Sequence, residues 1–294
     1  MFCIRKCSHN RKTNFKGGIK MKKFFAMMMC AIMLFGLVAC GDGDPEATFP
    51  SGGVFTTRPV ETETMSRDDA VEAVERYYEN VTRRAGKYSH LIDPNSVLDD
   101  GAPVISVFVV DNCGEMTAEQ LRKLHLAIYA TSGVIRNDEY VGLVLYDNNP
   151  HVEFPVTRLT DDSKREYSRL STSLLNEFGD SGSAMFDATV VGLKMLIDAQ
   201  EYAPSATLRL VLVSNGRLDT SYNIDKIENV VPLATGLNVQ IYTVAYTVAE
   251  SDYRRLESLK KLAEDTGAKC IEVDGMESDI RGALADLARE VCNR

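Results

Sequence analysis

The sequence predicts a doubly wound α/β domain with a mostly parallel central sheet flanked by helices. Three observations carry that expectation. Strand-like and helix-like patterns alternate for roughly 190 residues, the span of one domain. Val104–Val110 is a continuous run, apolar but for Ser106, the pattern of a strand covered on both faces. Polar clusters then stand where apolar runs end, at Asp111–Glu115 and at Ser214–Gly216. In an open α/β sheet, the carboxyl ends of strands are where ligands sit.

The elements follow in chain order. Ser66 reads as a helix N-cap with Asp69 at the capping-box position, where a side-chain oxygen accepts an orphan N–H of the first turn. Val71, Val74, Tyr77, Tyr78 and Val81 continue at helical spacing, and Gly86 ends the helix. Asp93–Ser96 is a loop. Beyond the Val104 strand, Thr117 and Gln120 cap a helix with Leu121, Leu124 and Ile128 on one face. Tyr140–Tyr146 is a second strand and His151–Phe154 a short third. A helix spans Asp162–Phe178, and the Gly/Ser loop Gly179–Ser183 leads into another that runs through Leu196. Leu208–Val213 is a strand, Ile224–Ala234 a helix, Asn238–Thr247 a strand and Asp252–Asp265 a helix. Lys269–Val273 is the last strand and Ser278–Val291 the last helix.

The first 39 residues stand apart from this pattern. Met21-Lys22-Lys23 is a basic start, and Phe24–Ala39 is a 16-residue apolar run that ends in LVAC, Leu37 to Cys40. A basic region, an apolar region and small residues before a cut make a secretory signal. The run is short for a membrane span, which needs ~20 apolar residues. LVAC resembles the lipobox of bacterial lipoproteins, which implies cleavage before Cys40 and diacylglycerol on its sulfur. Residues 1–20 read as an upstream extension, 21–39 as the signal and 40–65 as a flexible tether rich in Gly, Pro, Thr and acids. Residues 66–102 then form an N-terminal helix and lead-in. Localisation is expected at the cell membrane, lipid-anchored and facing the extracytoplasmic side.

Charge bears on partners. The first 39 residues carry eight of the 33 Lys and Arg and none of the 42 Asp and Glu, so the rest has a balance of −17. A body that acidic does not suit nucleic-acid phosphates, which want a basic face. It suits a domain held off an anionic surface by a lipid.

Four stretches carry a further resemblance. FVVDNCGEM (108–116), ahead of a helix, resembles the first motif of von Willebrand factor type A (VWA) domains, Asp-x-Ser-x-Ser. GDSGSAMFDA (179–188) is similar to the second, a glycine-flanked threonine before an aromatic-Asp-Ala helix start. VLVSNGRLD (211–219) resembles the third, an apolar strand followed by Thr-Asp-Gly. QIYTVAY, then LESLKKLAEDTGAKCIEV, resembles the family's C-terminal strand–helix–strand. The resemblance covers residues 103–294 and implies a Rossmann-like VWA fold.

It also implies a metal-ion-dependent adhesion site, in which the motifs hold Mg²⁺, or Mn²⁺ or Ca²⁺, and the ion captures a partner's carboxylate. Asp111 matches the first aspartate, Cys113 and Glu115 stand at the two serines, Ser183 at the threonine and Asn215 at the third-motif aspartate. A neutral thiol is a poor ligand for a hard cation, and Asn215 offers a carbonyl without charge. Glu115 adds a carboxylate on a longer arm. The site is therefore expected to be degenerate, with two outcomes open. Glu115 ligates the ion and takes the place of the incoming acid, or no ion is held and Asp111 bonds to local backbone N–H groups. The expected function is a lipid-anchored module for adhesion to, or interaction with, a protein partner. The alternative is a structural scaffold or assembly subunit of a cell-envelope complex without metal.

Other features point to no enzyme. Cys113 at a helix start is a potential nucleophile, but a nucleophile needs a base, and His125 lies about three helical turns further on. His90 and His151 have no motif around them. Cys3, Cys7 and His9 fall in the upstream extension, and no Cys-x-x-Cys suggests zinc. Cys270 and Cys292 are either paired, as an oxidising compartment allows, or two buried thiols. Asn80-Val81-Thr82 has the form of a glycosylation sequon on a helix, and Arg254, Arg255, Lys260 and Lys261 read as a solvated helix face.

Overall fold

The computed structural model describes residues 65–96, 101, 103–114, 116–173, 179–216, 220–221, 223, 227–246, 253–273 and 280–293. All belong to one compact unit, Val60–Arg294. The signal segment, Cys40, most of the tether and Glu115 lie outside the described residues, as do Cys3, Cys7 and His9.

The described elements are α1 (Arg67–Ala85), β1 (Val104–Asp111), α2 (Ala118–Thr131), β2 (Tyr140–Tyr146), β3 (Pro150–Arg158), α3 (Asp161–Ser173), α4 (Met185–Tyr202), β4 (Thr207–Ser214), α5 (Val230–Gly236), β5 (Val239–Tyr246), α6 (Tyr253–Asp265), β6 (Cys270–Val273) and α7 (Ile280–Val291). The strands form one sheet in the order β3-β2-β1-β4-β5-β6. Every neighbouring pair is parallel except β2–β3, which is antiparallel. This is the doubly wound order in which the chain runs outward from β1 in one direction and from β4 in the other.

Burial follows from that order. All eight residues of β1 are buried, as its largely apolar run requires, Ser106 and the terminal Asp111 included. Ile105, Val107 and Val109 face one core and Phe108 and Val110 the other, the period-two alternation of a strand. The first core takes apolar residues from α1, α4, α5 and α6, and the second from α2, α3 and α7. The sheet is therefore covered on both faces.

α1 is part of this unit. The Ser66 hydroxyl accepts the Asp69 N–H at 3.2 Å and donates to the Asp69 carboxylate at 2.6 Å, so Asp69 grips the cap side chain. Ala70, Ala73, Val74 and Val81 are buried against α4 and α5, and Tyr77 packs edge-on to Phe186 with centroids 5.3 Å apart. Lys194 joins Glu75 of α1 to Asp198 of α4.

Several expectations are corrected. The third strand is nine residues, not four; Pro150 and Pro155 lie within it, as an edge strand tolerates, and its pairing with β2 overrides the weak local pattern. The helix expected from Ile224 begins as an α-helix only at Val230, after a 3₁₀ turn at Ile227–Asn229. Pro232 accounts for this, because a residue without an N–H fits only the first helical turn. Among the described residues, Cys113, Cys270 and Cys292 form no disulfide. Cys270 packs against the first core and Cys292 lies in the second, on opposite sides of the sheet, so the open option of a disulfide between them closes.

Candidate functional site

The point where the chain reverses direction lies between β1 and β4, and the carboxyl ends of these strands deliver Asp111 and Ser214 side by side. Three loops meet there. The β1–α2 loop carries Asp111 and Cys113, the loop before α4 carries Ser183, and the loop after β4 carries Asn215.

Asp111 is fully buried. Its Oδ1 accepts the Cys113 N–H at 2.9 Å and its Oδ2 accepts the Ser183 hydroxyl at 3.4 Å. The Cys113 thiol and the Asn215 backbone also favour the charged carboxylate. Burial raises its pKa to about 6, and these interactions hold it from rising further. The Asn215 side-chain amide donates to Cys113 Sγ at 3.2 Å, and Cys113 too is fully buried. Thus Asp111, Cys113, Ser183 and Asn215, widely separated in sequence, share one hydrogen-bonded cluster. Among the described residues Asp111 is its sole carboxylate.

Backbone contacts bring the loops together. Gly114 N–H donates to Asp180 O at 3.0 Å, and Gly179 N–H to Asn112 O at 3.2 Å. A Cβ on Gly114 would lie 2.5 Å from the Gly179 oxygen, so this approach demands glycine. Ser214 Oγ accepts the Gly216 N–H at 3.1 Å and closes the turn after β4. Arg255 of α6 donates to Gly216 O at 2.8 Å, so it braces this loop rather than lying on a wholly solvated face.

Asp147, which sequence reasoning passed over, organises the middle loop. It follows β2, and its carboxylate accepts the Asp180 N–H at 2.9 Å and the Asn149 N–H at 3.0 Å, with His151 Nε2 at 3.1 Å. Its backbone oxygen accepts the Ala184 N–H at 2.6 Å. Burial would raise its pKa, but the His151 and backbone hydrogen bonds prevail and bring it down to about 2. The available signal was position, an aspartate at the carboxyl end of a strand. Thr220, Asn223 and Asp187 were missed as well. Thr220 Oγ1 accepts the Ser183 N–H at 3.0 Å. Asn223 donates to Asp187 at 2.6 Å and accepts from Asn80 at 3.1 Å, which joins α1 to the rim. Asn80 is thereby engaged inside the fold.

His125 stands behind the cluster, 1% exposed, with Nε2 3.0 Å from Asn112 Oδ1 rather than engaged by the thiol. That carbonyl oxygen assigns the proton to Nε2, and Nδ1 is buried with no hydrogen-bond partner among the described residues. Burial lowers its pKa from 6.5 to about 4. The native state keeps the ring neutral while the unfolded chain protonates it, so its stabilising share is complete above pH 6.5 and is lost as pH falls towards 4. His125→Gln should therefore flatten the fall in urea midpoint between pH 7 and pH 5; equal falls in variant and wild type would contradict the assignment.

The model of the von Willebrand factor type A domain family matches residues 107–283, more than half of the chain. The chain belongs to this family. Among solved structures, a von Willebrand factor type A protein from Catenulispora acidiphila is 16% identical with a TM-score of 0.52, over 64% of this chain and 42% of that one. The match thus spans less than half of that protein's length, and at this identity it speaks for the VWA fold alone. Manganese-loaded TRAP protein from Plasmodium vivax is 14% identical (TM-score 0.49, 64% of this chain and 74% of that one). The pilus adhesin SpaC from Lactobacillus rhamnosus GG is 13% identical (TM-score 0.46, 67% and 31%). No curated protein matches. VWA domains are generally interaction and adhesion modules, and they often hold a divalent cation at the crevice.

The residues seen here do not fit that ion. A hard dication takes about six oxygen ligands with near-octahedral or looser geometry. The described cluster offers one carboxylate and one hydroxyl, with a thiol at one ligand position and an amide that turns its NH₂ inward. Among the described residues, no group of three or more His, Cys, Asp or Glu is placed to hold a metal.

Proposed function

We propose that the protein is a lipid-anchored, extracytoplasmic interaction module that presents its strand-end crevice to a protein partner. The observation that carries the interaction reading is the convergence of the three motif loops at the β1–β4 switch point of a VWA fold. The LVAC sequence before the Gly/Pro/Thr tether supports the anchor, with diacylglycerol on Cys40 and the membrane reached through it. The acidic body supports a protein rather than a nucleic acid as partner.

Two experiments test this reading. Expressed in a bacterium with lipoprotein processing, the full chain should incorporate radiolabelled palmitate, and Cys40→Ala should abolish labelling. Equal labelling of the variant would remove the anchor assignment. Partner capture by the purified protein should be lost when Asp180 or Ser181, exposed in the loop before α4, is replaced with Arg. Capture that survives both replacements would favour the second reading, a scaffold or assembly subunit that binds through other faces. The full burial of Asp111 and Cys113 is the observation on that second side.

A further inference from the structure

A carboxylate has two oxygens and about four lone-pair positions. At Asp111 the protein itself occupies two of them, through the Cys113 N–H at 2.9 Å and the Ser183 hydroxyl at 3.4 Å, and the Cys113 thiol and Asn215 backbone also act on the carboxylate. Since Asp111 is 0% exposed, an entering cation would displace protein donors rather than water. Cys113 Sγ stands where the family places a serine oxygen, and sulfur is too soft to replace it for Mg²⁺ or Ca²⁺. The Asn215 amide is 3.2 Å from that sulfur and presents its donor end, where a cation would need its carbonyl.

We propose that this crevice is an ion-independent variant of the adhesion site, in which the Asn215–Cys113–Asp111–Ser183 hydrogen-bond cluster stands in the ion's place. A partner is then held by direct contacts with the loop rim rather than by a carboxylate bridged through a metal. This rests on the interaction reading for the existence of a partner, but not for the chemistry of the cluster. Two substitutions, Cys113→Ser and Asn215→Asp, restore oxygen ligands and a second charge, and should open the site to an ion.

The test is thermal melting of the purified chain with millimolar MgCl₂, MnCl₂ or CaCl₂ against EDTA. Wild type should melt at one temperature throughout. The Cys113→Ser/Asn215→Asp variant should gain an ion-dependent rise of roughly 3–6 °C at ten times its dissociation constant. A dose-dependent rise in wild type overturns the proposal, with Glu115 the group to examine as the completing ligand. A folded double variant that ignores all three ions overturns the assignment of Cys113 and Asn215 as the blocking groups. If the double variant does not fold, the wild-type titration and Cys113→Ser alone decide the matter by the same criteria. Partner capture is not read in this experiment, so failure of the ion assignment and failure of the interaction reading give separate results.

Discussion

Alanine at Gly179 should destabilise the protein by about 3 kcal/mol, near the top of the usual range for forcing a methyl into a packed site. An added Cβ would run into the Asn112 carbonyl oxygen and sit 2.9 Å from Asp147 Cβ. The first obstacle is backbone and the second belongs to a residue fixed by several hydrogen bonds, so neither can step aside cheaply. Relief would require the β1–α2 and pre-α4 loops to part, which disrupts the Asp111 cluster and the Asp147 clamp together. Gly133→Ala is the control, because its Cβ would meet only Ala130 O at 3.6 Å. Urea midpoints should separate the two variants clearly. Equal stability would mean that the loops are not held as closely as described.

Asp111 should distinguish charge from shape. Asp111→Ala leaves the Cys113 N–H and the Ser183 hydroxyl buried without their acceptor, and each such orphan costs about 1–3 kcal/mol. A combined loss of about 2–4 kcal/mol is expected. Asp111→Asn keeps an acceptor for Cys113, and the Ser183 hydroxyl can turn to accept from the new NH₂. It also removes a buried charge that is costly above pH 6, where the carboxylate is ionised. The asparagine variant should therefore stay within about 1 kcal/mol of wild type at pH 7. A loss as large as that of alanine would mean that the negative charge itself is needed, as it would be with a cation beside it.

The fold was legible because its signals were long and mutually consistent. The Val104–Val110 run announced a strand buried on both faces, and the Thr117–Gln120 capping box recurs in the structure as read. β3 was cut short because its two prolines and polar residues hide a strand defined by pairing with β2 rather than by composition. α5 was placed too early because helical spacing does not register the missing N–H of Pro232. Within the crevice, motif order located Asp111, Cys113, Ser183 and Asn215, all of which meet. The motifs gave no sign that Asn215 would turn its amide to the thiol, because that orientation depends on contacts across a hundred residues. Asp147 and Asn223 were hidden for the same reason. Each resembles an ordinary turn residue until the fold brings the loops it holds alongside.

The most direct measurement is a crystal structure of the protein grown with MnCl₂, with data collected at the manganese absorption edge. The expected map has no anomalous peak beside Asp111, with the Asn215 amide within hydrogen-bond distance of Cys113 Sγ and the Cys113 N–H on the Asp111 carboxylate. An anomalous peak coordinated by Asp111 and Ser183, with the Asn215 amide turned away from the sulfur, would contradict it.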